Sequence, residues 1–323
     1  MNIAIFDLKP WEKKMFDTAL KGHKISYFES DIDHTNVSKF KDAEIVSCFV
    51  SSQMNSKLIS SLAKLQFIAT RSTGYDHIDL KETGKRKVKV SNVPTYGENT
   101  VAEHAFALIL DLSRNIHKAY LRSKKNDYSI EGLMGFDLAG KTLGVIGCGH
   151  IGKHMVRIAK GFGMKVLIFD KSTKTTLKEL LSNSDIISLH LPACKETFHI
   201  INRKNITYIK PGAILVNTAR GTLIETDALI QALKKNILKG VGLDVIEDEE
   251  LLSEEQHLAH RHEKNKKFAR LVNEHKLLKM DNVVYTPHIA FYSQEAVNRI
   301  TKTTIENILA FIKGKAQNLV LKK

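Results

Sequence analysis

Between Val145 and Gly152 the chain reads VIGCGHIG, three glycines in G-x-G-x-x-G spacing directly after a short apolar run. Glycines punctuate turns everywhere, so the spacing alone constrains little; its flanks constrain a great deal. KTLGVIG has the pattern of a buried strand and HIGKHMVRIAKGFG that of an amphipathic helix, which puts the glycines on a strand-to-helix turn. There Gly147 permits the tight turn, Gly149 lets a pyrophosphate approach the backbone, and Gly152 lets the helix pack against the sheet. The free N–H groups and positive dipole end of the helix start then favour an anion. Such a turn is read as a dinucleotide site.

The next apolar run, MKVLIFD, ends in Asp170, eighteen residues after Gly152. A carboxylate at that place accepts hydrogen bonds from ribose hydroxyls and repels a 2′-phosphate, favouring NAD over NADP. Lys171, immediately after it, weakens that preference.

The motif belongs to a series. TLGVIG, MKVLIFD, DIISLHLP, AILVNTA, GVGLDV and NVVYTPH are continuous apolar runs, as expected for parallel strands covered on both faces. The first part of the chain alternates strand-like IAIFD, KISYF, AEIVSCFV and QFIATRS with helix-like PWEKKMFDTALK and MNSKLISSLAKL. Pro10 suits a first helical turn, where its missing N–H costs nothing. Between the two series, Val101, Ala105, Leu108, Leu112, Ile116 and Ala119 recur at spacings of three and four, predicting one long amphipathic helix from Val101. A poorly patterned stretch, SKKNDYSIEGLMGFDLAGK, follows it. At 323 residues, two α/β domains are expected. The polar segment Glu249 to Met280 is unusually long for a connection and is read as an insertion.

Composition excludes several classes. The formal charge of +14 invites a nucleic-acid reading, but the lysines are spread along the chain, with small knots such as KETGKRKVKV and HEKNKKFAR and no aromatic-interleaved motif. A lysine-rich solvated surface is the preferred reading, one that still attracts small anions. Three scattered cysteines (Cys48, Cys148, Cys194) argue against a disulfide framework. With no apolar run of membrane-spanning length and no signal-like N-terminus, a cytoplasmic protein is expected, with neither membrane nor nucleic acid as partner. His257, His260 and His262 in HLAHRH raise a metal question; the third imidazole points off the helical face of the first two, and no metal site is expected.

Beyond the glycine turn lie NTARGTLIETDAL, GLDVIEDE, TPHIAFYS, NVPTYGENTVAEHA and RSTGYDHID. Together, from about Gln66 to Tyr292, they closely resemble the D-isomer-specific 2-hydroxyacid dehydrogenases, nearest the D-lactate dehydrogenase branch. The resemblance implies two lobes: a Rossmann NAD-binding domain, 99–291, inserted in a smaller flavodoxin-like substrate domain, 1–98 and 292–323, with a substrate cleft between them and the last helix on the first lobe. It implies Arg220 as the guanidinium for the carboxylate and carbonyl of a 2-keto acid, which presents two acceptors to a planar fork. It implies His288 as acid/base and Glu249 as its carboxylate partner, with Glu247 and Glu250 as register neighbours; such a charge favours the imidazolium. Substrate contacts are implied for Tyr96 and for the backbone at Thr73 and Gly74; Phe291 and Tyr292 either close an apolar pocket or belong to the core.

The remaining NAD positions implied are His150 and Ile151 on the pyrophosphate, Leu191, Pro192 and Thr197 near the adenosine, Thr218, Ala219, Arg220 and His288, Asp244 near the nicotinamide carboxamide, and Thr100. The helix from Val101 resembles the element on which these enzymes dimerise, so a homodimer is expected. The expected reaction reduces a small, pyruvate-like 2-keto acid with NADH. Glyoxylate or hydroxypyruvate reduction and phosphoglycerate dehydrogenation are the alternatives, and a non-enzymatic NAD sensor on the same fold is the rival from another class.

Overall fold

The computed structural model describes residues 1–32, 37–247, 249 and 266–320, and the chain divides into two compact units. One is formed by Met1–Tyr96 with Ser293–Lys323, the other by Gly97–Tyr292.

The first unit is built on β1 (Asn2–Ile5), α1 (Pro10–Ala19), β2 (Lys24–Tyr27), β3 (Ile45–Cys48), α2 (Ser56–Ser61), β4 (Phe67–Thr70), α3 (Leu80–Lys85) and β5 (Lys89–Ser91). Its strands are parallel in the order β2-β1-β3-β4-β5, the flavodoxin-like order. Pro10 opens α1, and Glu12 accepts from the Lys9 N–H at 2.9 Å, closing that end. The last helix, Gln294–Ile312, buries Ile305 and Ile308 with Ile3, Ile5, Phe16 and Phe67, and Phe311 stacks on Phe67 at 4.4 Å. The lysine knot KETGKRKVKV becomes all but the first residue of α3 and the first two residues of β5: Val88 and Val90 turn inward while Lys85, Lys87 and Lys89 face solvent.

The second unit begins with α4 (Glu98–Arg114) and α5 (Ile116–Ser123) and continues through β6 (Thr142–Ile146), α6 (His150–Gly161), β7 (Lys165–Phe169), α7 (Leu177–Asn183), β8 (Ile186–Leu189), β9 (Ala213–Asn217), α8 (Thr226–Lys234), β10 (Leu238–Leu243), α9 (Lys266–Leu278) and β11 (Val283–Tyr285). All six strands are parallel, in the order β11-β10-β9-β8-β6-β7. The apolar runs are strands as expected; β8 and β9 are buried along their whole length. The chain leaves β6 for β7 on one side and returns to β8 on the other, so the crevice at the carboxyl ends of β6 and β8 is the switch point where such sheets take ligands.

The single long helix predicted from Val101 is corrected. The helix starts at Glu98, and Asn115 breaks it with a left-handed backbone (φ +52°). Asn tolerates that conformation, and Asp111 accepts from the His117 N–H at 2.7 Å, stabilising the restart. The apolar stripe ends with α4: Ile116 is 54% exposed. His257, His260, His262 and half of the expected insertion lie outside the described residues; α9 belongs to its described end. Among the described residues no helix is long and apolar enough to cross a membrane.

Candidate active site

The glycine turn joins β6 to α6, with Gly149 as the helix N-cap. Gly147 has φ +93°, and a Cβ on it would stand 2.6 Å from the His190 carbonyl oxygen, so a side chain there is excluded by both backbone and neighbour. A Cβ on Gly152 would run into the Gly147 carbonyl oxygen. Gly149 faces open space, the room a pyrophosphate needs. No side chain caps α6, and the N–H groups of His150 and Ile151 have no partner among the described residues. Asp170, at the end of β7, accepts from the Cys148 N–H through Oδ2 at 2.7 Å, leaving Oδ1 for a ribose hydroxyl. Burial, followed by the charge of Asp170, raises the Cys148 thiol above its ordinary range, so it stays protonated. Glycine cradle, open helix start and carboxylate together fit a dinucleotide of the NAD type.

The loop after β8 forms the other wall. Leu191 and Pro192 stand there, but the Thr197 hydroxyl donates to the Pro192 carbonyl at 2.6 Å and accepts from the Cys194 N–H at 3.0 Å. Thr197 thus closes its own turn and supports Leu191 and Pro192. After β9, the Thr218 hydroxyl is buried with no partner among the described residues, a donor in want of an acceptor. The Ala219 N–H donates to Asn217 Oδ1 at 3.0 Å, and Arg220 Nη1 donates to the Ala219 carbonyl at 2.7 Å.

His288 follows β11 with φ +53°, a conformation that other bonds must hold. Its N–H donates to the Asp244 and Thr286 carbonyls, both at 2.9 Å. Asp244 is wholly buried: Oδ1 accepts from the Thr286 hydroxyl at 2.6 Å and the Ile289 N–H at 2.9 Å, and Oδ2 from the Ala290 N–H at 2.9 Å. Asp244 thus holds the turn that carries His288. His104 of α4 reaches the same knot, 2.9 Å from the Thr286 hydroxyl. His288 Nδ1 lies 2.9 Å from Glu249 Oε1, and the two side chains are 33% and 32% exposed. A carboxylate at Nδ1 fixes the ring so that Nε2 is the outward nitrogen. Negative charge is concentrated here: Tyr285 is pushed up to about 12, by burial first and then by Glu249, Asp244 and Glu274.

In the first unit, Thr73 and Gly74 form the turn after β4. The Thr73 hydroxyl donates to the Val93 carbonyl at 2.8 Å and the Asn92 amide to the Thr73 carbonyl at 2.7 Å, while the Thr73 and Gly74 N–H groups have no partner among the described residues. Those amides are disposed to receive a carboxylate. Tyr96 lies a few residues along the same bonded segment, its carbonyl accepting from Arg299. Thr100 is buried on α4. Nothing in the sequence singles out His104, His199, Thr226 or Thr286; each is a lone polar residue whose partner is distant in the chain.

The chain is similar to known proteins along nearly its whole length. The profile of the D-isomer specific 2-hydroxyacid dehydrogenase NAD binding domain matches residues 106–290. A D-lactate dehydrogenase of Escherichia coli is 35% identical over 97% of this chain and 98% of its own length, and a glyoxylate reductase of Thermococcus litoralis is 37% identical over 88% and 86%. The crystal structure of D-lactate dehydrogenase from Aquifex aeolicus, complexed with NAD and lactic acid, superposes with a TM-score of 0.89 at 35% identity, covering all of both chains. Two parallel sheets in these orders, a glycine cradle that fits NAD and similarity of this extent give one conclusion: the chain belongs to the NAD-dependent D-isomer-specific 2-hydroxyacid dehydrogenases.

Proposed function

We propose that the chain reduces a small 2-keto acid of the pyruvate type to the D-2-hydroxy acid, with His288 as proton donor and Glu249 as its partner. The observation that carries this reading is the His288–Glu249 pair, hydrogen-bonded at 2.9 Å with both side chains about one-third exposed. Bound NADH supplies the hydride. His288 gives its Nε2 proton to the carbonyl oxygen, and Glu249 stabilises the imidazolium that must exist beforehand. In the oxidative direction the same nitrogen takes the proton back. Arg220 offers a planar guanidinium to the carboxylate and carbonyl, which draws electron density from the carbon that is reduced. The Thr73 and Gly74 amides are assigned the substrate carboxylate on the strength of their unengaged N–H groups, and Tyr96 a contact with substrate. Thr218 and Ala219 are assigned to the cofactor with His150, Ile151, Leu191 and Pro192.

The chain is further proposed to form a homodimer. Ile116, Tyr120 and Leu121 on α5, and Tyr128, Ile130 and Met134 just after it, are between 54% and 89% exposed, an apolar patch of the kind that a second copy covers. Three free cysteines suit a reducing compartment, the cytoplasm.

The test is loss of reduced nicotinamide absorbance with pyruvate, glyoxylate, hydroxypyruvate and bulkier 2-keto acids, using NADH and NADPH in parallel and determining product chirality. Turnover of pyruvate with NADH to the D acid is the expected outcome. Preference for glyoxylate reassigns the substrate; NADH binding without turnover of any keto acid leaves the sensor reading in its place.

A further inference from the structure

The chain holds a second histidine–carboxylate pair that the proposed chemistry does not use. His199 Nε2 lies 2.7 Å from Glu247 Oε1, two residues before Glu249. The backbone N–H of the same histidine donates to the Thr222 carbonyl at 2.9 Å, two residues after Arg220. One residue therefore grips the two segments that bear Arg220 and Glu249.

Three further observations show that the grip is built. Glu247 Oε2 accepts from the Thr226 N–H at 3.4 Å and is 3.2 Å from the Thr226 hydroxyl, which stands equally far from Glu274 Oε1 on α9. The start of α8 is thereby tied to the same carboxylate. Gly221, next to Arg220, has no room for a side chain, because a Cβ would run into the Ile246 carbonyl and the Glu247 nitrogen; the two segments touch backbone to backbone. His199 itself has φ +49°, a backbone region that a histidine keeps only when its surroundings require it. Phe198 stacks on its ring at 3.9 Å, and the Asn202 amide donates to its carbonyl at 2.9 Å.

We propose that His199 and Glu247 are positioning residues: they clasp the Arg220 segment to the Glu249 turn and so set the place of Glu249 against His288. The proposal rests on the reading of His288 and Glu249 as the proton-transferring pair. The imidazole donates through Nε2–H and the carboxylate accepts, so the clasp needs a donor at 199 and an acceptor at 247. A misplacement of about 1 Å in a catalytic group costs up to about 100-fold in rate, and the clasp guards against a displacement of that order.

The experiment measures single-turnover reduction of pyruvate, the KM for pyruvate and NADH binding in His199→Asn, Glu247→Ala and Glu247→Gln, each also in a Glu249→Gln background. Asparagine is chosen at 199 because it tolerates the left-handed backbone. His199→Asn and Glu247→Ala are expected to lower the single-turnover rate about 10- to 30-fold and to leave NADH affinity within about two-fold. Glu247→Gln keeps an acceptor and is expected to recover most of the loss. In the Glu249→Gln background, where the charge that the clasp sets against His288 is gone, His199→Asn is expected to cost less than about two-fold more. An undiminished rate in His199→Asn overturns the clasp, and so does a full additional loss in the Glu249→Gln background, which marks a general structural role. Should His199→Asn fail to fold, Glu247→Gln against Glu247→Ala decides the same point. Failure of the underlying reading has a different signature: His288→Asn would then keep its turnover whatever the clasp does.

Discussion

His288 and His199 have much in common. Both lie in the Gly97–Tyr292 unit, both have left-handed φ values (+53° and +49°), and both hold a glutamate from the same short turn, at 2.9 and 2.7 Å. They differ in which nitrogen is engaged and in what else holds the carboxylate. His288 gives Nδ1 to Glu249 and keeps the outer Nε2, and the second oxygen of Glu249 has no partner among the described residues. His199 gives Nε2 to Glu247, whose second oxygen is tied to Thr226. A pair secured at each end fixes geometry; a pair with a spare nitrogen and a spare oxygen can move a proton. Proximity of a histidine and a glutamate does not define their task. The unspent valences do.

The comparison can be broken first at Arg220. If the His288 pair is competent only when the keto acid is anchored beside it, Arg220→Leu lowers kcat/KM by about 1,000-fold with all four pair residues intact. Steady-state kinetics on pyruvate checks this, and a loss below about ten-fold detaches Arg220 from the substrate. The next largest effect separates the two carboxylates. Glu249→Gln is expected to lower kcat about 100-fold, because the neutral amide no longer favours an imidazolium, whereas Glu247→Gln costs less than about three-fold. Comparable losses in both would erase the distinction between them.

A change that touches neither pair sharpens the contrast from outside. Asp170→Asn removes the ribose carboxylate and is expected to weaken NADH binding about ten-fold, leave kcat nearly unchanged and narrow the preference over NADPH. Fluorescence titration with both cofactors measures it.

The smallest effect concerns a third histidine, one without a carboxylate partner. Burial pushes His190 down to about 3, and its Nε2 is 2.8 Å from the Ser188 hydroxyl. The folded chain keeps this ring neutral while the unfolded chain protonates it near its ordinary value of 6.5. Between about 6.5 and about 3 the unfolded state therefore binds the extra proton, and stability falls as the pH drops through that window. The slope from this one group is at most about 1.4 kcal/mol per pH unit. His190→Gln is expected to flatten that part of the curve, measured as denaturant midpoints from pH 7 downward.

Legibility differs between these sites for physical reasons. The glycine turn is local: strand, turn and helix are consecutive, and Gly147 and Gly152 answer constraints set by residues within a few positions or by the adjoining loop at His190. The parallel sheets were legible too, because strands buried on both faces are continuous apolar runs. Asn115 shows the opposite case. The apolar periodicity runs straight through it, and the break shows only in the structure, in the left-handed backbone of Asn115 and the bond that the His117 N–H donates to Asp111. Asp244 and Thr197 also hold the His288 turn and the 192–197 turn, through bonds that sequence does not display. His199 and Glu247 are 48 residues apart, so nothing in either neighbourhood announces the pair.

The most direct test of the account sets the two histidines side by side. Protein preloaded with NADH is mixed with pyruvate, and the single-turnover rate is followed in wild type, His288→Asn and His199→Asn, with NADH binding measured in each. A loss of about 1,000-fold or more is expected in His288→Asn and about 10- to 30-fold in His199→Asn, with NADH bound normally by both. A His288→Asn protein that turns over at a rate near wild type would contradict it.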